Sequence, residues 1–308
     1  MVQIIFVALI AGVATALLFV SVVSFSVLSF FLYCIAPLPI MIAALGWTHR
    51  AGLAAAFLAA CGLGFVATPL FFAVLPIGAG AWWLGYLALL ARPANDPDPN
   101  HLVWYPVGHL VVWAALLAAL LIVAAILQAG ADLDGFRAEL KTWFERILRA
   151  QSQAPDADVL DVLVLAAPPM AAMFVTFTNL LNLWLAGRIV KVSGRLRRPW
   201  PDIAAMQLPG FTPLLLAGSL LGAFLPGLIG FAAGVLAASL LMAYAILGFA
   251  VLHAITRGMD SRGFVLAGVY AVVGIFHLPL LVMTLVGIAE TMLDIRARIA
   301  RAHPTIRT

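Results

Sequence analysis

The chain has 308 residues, of which 65% are hydrophobic and 10% charged, with a net charge of +4 and a mean hydropathy of +1.12. A soluble domain carries about a quarter charged residues, and no stretch here is polar and long enough to fold as one, so a soluble class is excluded. The positive surplus then reads as a topology signal, and no nucleic-acid partner is expected.

Charges divide the sequence into apolar runs. Residues 1–91 carry one charge, Arg50, and uncharged runs cover 103–131, 162–187 and 263–289. Each of those three runs fits one span of roughly 20 residues or slightly more, and 2–49, 51–91 and 203–256 each fit two. The expected class is all-α: a polytopic integral membrane protein with 8–9 transmembrane helices plus one interfacial amphipathic helix. Three regions are expected, a six-helix core over 1–190, C-terminal transmembrane helices over 203–292 and a basic tail over 293–308.

The first span, about 3–23, has no basic segment before it and reads as retained in the mature protein. Ala8, Gly12 and Ala16 recur every four residues, a stripe that lets another helix approach closely, either within the chain or on a docking partner. The second span ends near Leu45 and contains Pro37 and Pro39. Proline removes a backbone donor, so a kink lined by other protein is expected there. Cys34 and Cys61 lie in apolar runs and read as small buried hydrophobes.

Trp47-Thr-His-Arg50 forms a short turn. Spans three and four follow at about 51–75 and 77–91, with a hinge expected at Pro76-Ile-Gly78. Trp82 and Trp83 are placed at the outer interface, where indole rings collect. Residues 92–100 read as a turn-rich loop. Asp96, Asp98, His101 and His109 show no recognised metal spacing, so neither a metal nor another cofactor is expected.

The fifth span covers about 103–129. In 132–151, Phe136, Leu140, Trp143, Phe144, Ile147 and Leu148 share one face of an otherwise charged helix, the pattern of a helix lying on the membrane. The sixth span, about 159–188, carries a polar seam. Thr176, Asn179 and Asn182 fall within one 120° sector. Amides in hydrocarbon need partners, so the seam should face protein or a cavity.

Arg188, Lys191, Arg195, Arg197 and Arg198 follow, the densest basic run, which marks the cytoplasmic side. The helix at 132–151 is then expected at the outer surface. The last three spans are expected at about 208–225, 228–256 and 263–290. His277, near the centre of the last, is an ionisable group at depth and therefore a candidate ligand contact or an interhelical hydrogen-bonding group. With nine spans the basic tail lies outside, against the charge bias; with eight it lies inside.

The small-residue first helix, Pro37-Leu-Pro39, Asn182-Leu-Trp-Leu-Ala-Gly-Arg188, Tyr244…Gly248-Phe-Ala-Val-Leu-His253 and Gly287-Ile-Ala-Glu-Thr-Met-Leu-Asp294-Ile-Arg296 are carried in that order. Together they resemble the YybS-like bacterial membrane proteins, a family of unknown function, over essentially the whole length. That family is similar in its N-terminal helices to the S components of energy-coupling factor vitamin transporters. The resemblance implies an inner-membrane, multi-pass location, a docking role for Ala8, Gly12 and Ala16, and a small-molecule ligand. The further C-terminal helices have no counterpart there.

Thr176, Asn179, Asn182, Trp82, Trp83 and His277 are the candidate ligand-binding residues. The chain has no GxxxxGK[ST] loop, so energy would come from partner subunits. The expected function is a transporter-like small-molecule-binding subunit. The alternative is a non-transporting scaffold for envelope or cell-shape machinery, similar to MreD. No catalytic role is expected, since HExxH, GxSxG and paired acids are absent.

Overall fold

The computed structural model describes residues 2–24, 26–94, 102–128, 132–150, 156–276 and 278–302. It is an all-α polytopic membrane protein. Among the described residues seven helical segments are long and apolar enough to cross a bilayer: 2–24, 27–46, 49–66, 68–88, 107–128, 157–192 and 227–255. Three shorter apolar helices cover 212–222, 262–275 and 279–293. The chain forms two compact units, 1–105 with 117–200, and 106–116 with 201–308.

In the first unit, α1 (Val2–Val20) packs along α4 (His49–Val66). A Cβ added at Gly12 would stand 3.0 Å from both the Ala55 carbonyl oxygen and the Leu58 Cβ. Ala8 and Gly12 are buried and Ala16 half-buried. The stripe expected to receive a docking subunit is thus covered by α4 of the same chain, because small residues let the two backbones close up.

The second span is broken as expected, into α2 (Val27–Cys34) and α3 (Leu38–Gly46). The Leu38 amide donates to the Ile35 carbonyl rather than to Cys34, and Pro37 has no amide to donate. The Asn182 side-chain amide, arriving from α8 (Ala157–Val192), instead donates to the Cys34 carbonyl at 2.8 Å and to the Thr178 carbonyl at 2.8 Å. Asn182 is 2% exposed.

The hinge expected at Pro76 lies instead at Ala67, which is extended (φ −156°, ψ 125°) between α4 and α5 (Thr68–Ala88). Pro69 sits in the first turn of α5, where a missing amide costs nothing, and α5 runs through Pro76 without a break. Residues Ala91–Pro93 (β1) and Leu102–Trp104 (β2) form a small antiparallel ladder, which the loop expectation did not include. After α6 (Val107–Gln128), the amphipathic α7 (Leu133–Ala150) packs on α8, and its Lys141 pairs with Asp161. That hydrogen bond to Asp161 raises the Lys141 pKa above its usual value. Asp161 and Arg188 are about 40 Å apart at 1.5 Å per residue, so α7 and the basic run occupy opposite ends of α8.

The second unit centres on α10 (Gly227–Ile255), the most buried of the long helices. Around it are α9 (Thr212–Gly222), α11 (Arg262–Ile275), α12 (Leu278–Leu293) and α13 (Ile295–Ala302). The single last span expected over 263–290 is two helices, because Phe276 is extended (φ −116°, ψ 118°) and Pro279 suits the first turn of a new helix. Helices α10 and α12 are nearly in backbone contact. A Cβ at Gly248 would fall 1.9 Å from the Met283 carbonyl oxygen, and one at Gly287 would fall 2.0 Å from that of Tyr244.

At the end of α12, Glu290 is 5% exposed. Its carboxylate accepts from the Arg296 Nε at 2.7 Å and from the Arg296 backbone amide at 3.1 Å. The same guanidinium donates to the carbonyls of Ala204 (2.6 Å) and Met206 (2.9 Å). The reversal passes through Asp294 at φ 49°, a left-handed conformation that Asp tolerates better than most residues. Arg257 also donates to Asp202, which holds that carboxyl below its usual range.

Five outcomes are expected, each read as thermal unfolding of the detergent-solubilised full chain. Gly248→Ala and Gly287→Ala each destabilise by about 1–3 kcal/mol through overpacking. Gly218→Ala, whose added Cβ meets nothing within 4 Å, stays within about 1 kcal/mol of wild type. Glu290→Ala strands the Arg296 charge and costs about 3–5 kcal/mol, whereas Asn182→Leu, which leaves the Cys34 carbonyl without that donor, costs about 1–3 kcal/mol. The Asp202–Arg257 pair contributes above the ordinary carboxylate value of 3.8 and is lost on acidification below it. That pH effect is small, because both side chains are about half exposed.

Candidate ligand cavity at the basic end

The first unit gathers its cations at one end through three local devices. Helix α8 closes in a left-handed glycine turn. The Arg195 amide bonds the Val190 carbonyl and the Gly194 amide that of Lys191, with Gly194 at φ 68°. That turn sends the chain back across the helix ends. Arg198 then donates to the Ala88 carbonyl at 3.2 Å, capping the end of α5, where a carbonyl lacks an intrahelical donor. Burial pulls the Arg198 guanidinium below its usual pKa.

Aromatic rings hold most of the remaining charges. The Arg195 guanidinium stands 4.6 Å over the Trp47 ring, and Arg188 and Lys191 lie over Trp200 at 5.4 and 5.0 Å. Such cation–π contacts favour a fixed orientation of charge on an apolar surface.

Between these groups lies a cavity of about 620 Å³, within the size range of small-molecule sites. Its walls are Trp47–Arg50 from the α3–α4 turn, Tyr86 and Leu90 from the end of α5, Trp104 from β2, Arg197, and Ile4 and Ile5 from α1. Thr48 caps α4 by accepting from the Ala51 amide. The His49 and Arg50 amides precede the first intrahelical bond of α4 and have no acceptor among the described residues. Trp47 Nε1 and His49 Nδ1 are buried and lack partners among the described residues. No carboxylate is among the described lining residues.

Trp82 and Trp83 pack around Tyr86, one of the lining residues of this cavity. Tyr86 stacks on Trp82 at 5.9 Å, meets Trp83 at 5.6 Å and faces His49 at 5.1 Å. The break at Ala67 makes α5 longer at its start, so both tryptophans fall in its last two turns, toward Arg50.

The polar seam of α8 lies elsewhere in the same unit. Thr176 is fully buried and donates to the Ala172 carbonyl, and Asn182 caps Cys34 as described above. Asn179 lines a second cavity of about 100 Å³ with Tyr33, Pro37 and Thr178. That volume suits a few waters rather than a metabolite. His277 lies outside the described residues, as do Asp96, Asp98 and His101. Among the described residues no group of three metal-ligating side chains occurs.

The larger cavity was not among the sequence candidates. Its signal was Trp47-Thr-His-Arg50, which places an indole, an imidazole and a guanidinium at a helix start and had been read only as a turn.

No curated protein and no solved structure matches the chain. The DUF2232 family, described as predicted membrane proteins, matches residues 13–291. The chain therefore belongs to the DUF2232 family of membrane proteins.

Proposed function

We propose that the chain is a small-molecule-binding membrane subunit, transporter-like in role and dependent on partner proteins for energy. The observation that carries this reading is the 620 Å³ cavity of the first unit, walled by indole, phenol, imidazole and guanidinium groups. A site of that size with a few polar groups on an apolar wall is the usual build of a ligand pocket. Dependence on partners and an inner-membrane location are what the sequence resemblance to S components implies. The cavity end, which bears the basic run, is then the cytoplasmic end.

The test is native mass spectrometry of the full chain purified in mild detergent, with identification of co-purifying proteins and metabolites. A bound metabolite is expected in the wild type. Leu90→Trp, which puts a larger ring into the cavity wall and narrows it, should weaken binding of that metabolite while leaving the unfolding midpoint near that of wild type. Recovery of envelope or cell-shape proteins with no ligand sensitive to Leu90→Trp would favour the MreD-like scaffold instead.

A further inference from the structure

We propose that this cavity is a phosphate-recognition site, taking the phosphate group of a free organophosphate or of an acidic lipid headgroup; the inference rests on reading the cavity as a ligand site. Four observations converge on it. Arg50 and Arg197 both line the cavity, and among the described residues neither has a carboxylate within ion-pair distance. The neighbouring cations are already engaged, Arg198 on a backbone carbonyl and Arg195 on the Trp47 ring.

The cavity also receives the start of α4, an 18-residue helix whose His49 and Arg50 amides lack acceptors among the described residues. Helix starts of this kind bind anions through free amides and the helix dipole. Trp47 and His49, both lining residues, each keep a buried ring nitrogen without a partner among the described residues; the imidazole nitrogen donates or accepts according to its tautomer. An indole nitrogen can only donate, so it calls for an acceptor.

Donors and positive charge therefore surround one space of metabolite size from which acids are absent among the described lining residues. A phosphate has the acceptor oxygens to answer them, and guanidinium groups bind it in a two-pronged geometry that a monovalent halide cannot match. Ile4, Ile5 and Leu90 supply an apolar side to the same cavity, which suits the organic part of a phosphate ester or the glyceryl end of a lipid.

The experiment uses the full chain in neutral detergent, titrated separately with inorganic phosphate, glycerol 3-phosphate, dihexanoyl phosphatidylglycerol and dihexanoyl phosphatidylcholine. Binding is read by native mass spectrometry and by the shift in unfolding midpoint. Arg50→Gln and Arg197→Gln should each weaken phosphate binding by about tenfold or more, the loss of a charge-assisted hydrogen bond. Arg137→Gln on α7, at the other end of α8, should not change it.

Binding of the two soluble phosphates identifies a free organophosphate as the source. Binding of phosphatidylglycerol over phosphatidylcholine, with neither soluble phosphate bound, identifies a lipid headgroup. Either result supports the proposal, provided that the arginine variants fold and lose binding. Equal binding of the two lipids, no binding of any probe, or unchanged binding in folded Arg50→Gln and Arg197→Gln overturns it. If no phosphate binds but a Leu90→Trp-sensitive ligand co-purifies, the phosphate inference falls and the ligand cavity stands. If nothing sensitive to Leu90→Trp binds, both fall.

Discussion

A carbonyl without a donor is costly in hydrocarbon, and the first unit is arranged around one such carbonyl. The Pro37-Leu-Pro39 break frees the Cys34 carbonyl, and Asn182 reaches across from α8 to satisfy it at 2.8 Å. A polar residue that is expensive in lipid thus becomes the cheapest partner for a broken helix. The bond also fixes the rotation of α8 about its axis, because Thr176 and Asn179 share the sector of Asn182. With that rotation set, Thr176 turns inward and Asn179 meets the small cavity beside Tyr33 and Pro37.

The second unit solves the same problem by another route. There the freed backbone carbonyls lie in the 201–206 segment, and one arginine serves them together with a buried carboxylate at the end of α12. Arg296 answers two carbonyls and a buried carboxylate, so its charge and donors are largely used. Above that knot the Gly248 and Gly287 contacts let α10 and α12 approach until side chains are excluded between the backbones. Close approach maximises dispersion where no hydrophobic effect drives helices together. The knot ties the end of α12 to α13 and the 201–206 segment, and the glycine pair sets the separation of α12 from α10.

Much of this was legible in the sequence because membranes constrain chains strongly. Uncharged length gave the spans up to residue 192, proline gave the α2–α3 break, and the isolated amides gave an inward seam. The failures have specific causes. Proline was overread at Pro76, where a helix carries the missing bond, and underread at Pro69, where the residue starts a helix. The run 263–289 has the length of one span, yet length says nothing of an extended residue at Phe276. The Ala8, Gly12 and Ala16 stripe announced close packing correctly but could not say with which helix, since α4 is equally small-sided. The cavity escaped because its walls come from five separate segments, and only Trp47-Thr-His-Arg50 is contiguous.

The basic end carries the last step of the argument, since positive charge there serves three physical needs at once. Retention on one side of the membrane asks only for the number of cations. Helix ends ask for donors, and Arg198 meets that need at the Ala88 carbonyl. Half-buried indoles accept cations over their faces, and Arg188, Lys191 and Arg195 lie over Trp200 and Trp47. Those assignments account for four of the five cations between Arg188 and Arg198, and Arg197 is the one left facing the cavity with Arg50. A topology signal alone would not need its cations sorted in this way. The sorting places two arginines and the first amides of α4, all without acid or acceptor partners among the described residues, at one cavity, which gives the end of the unit a chemistry beyond orientation.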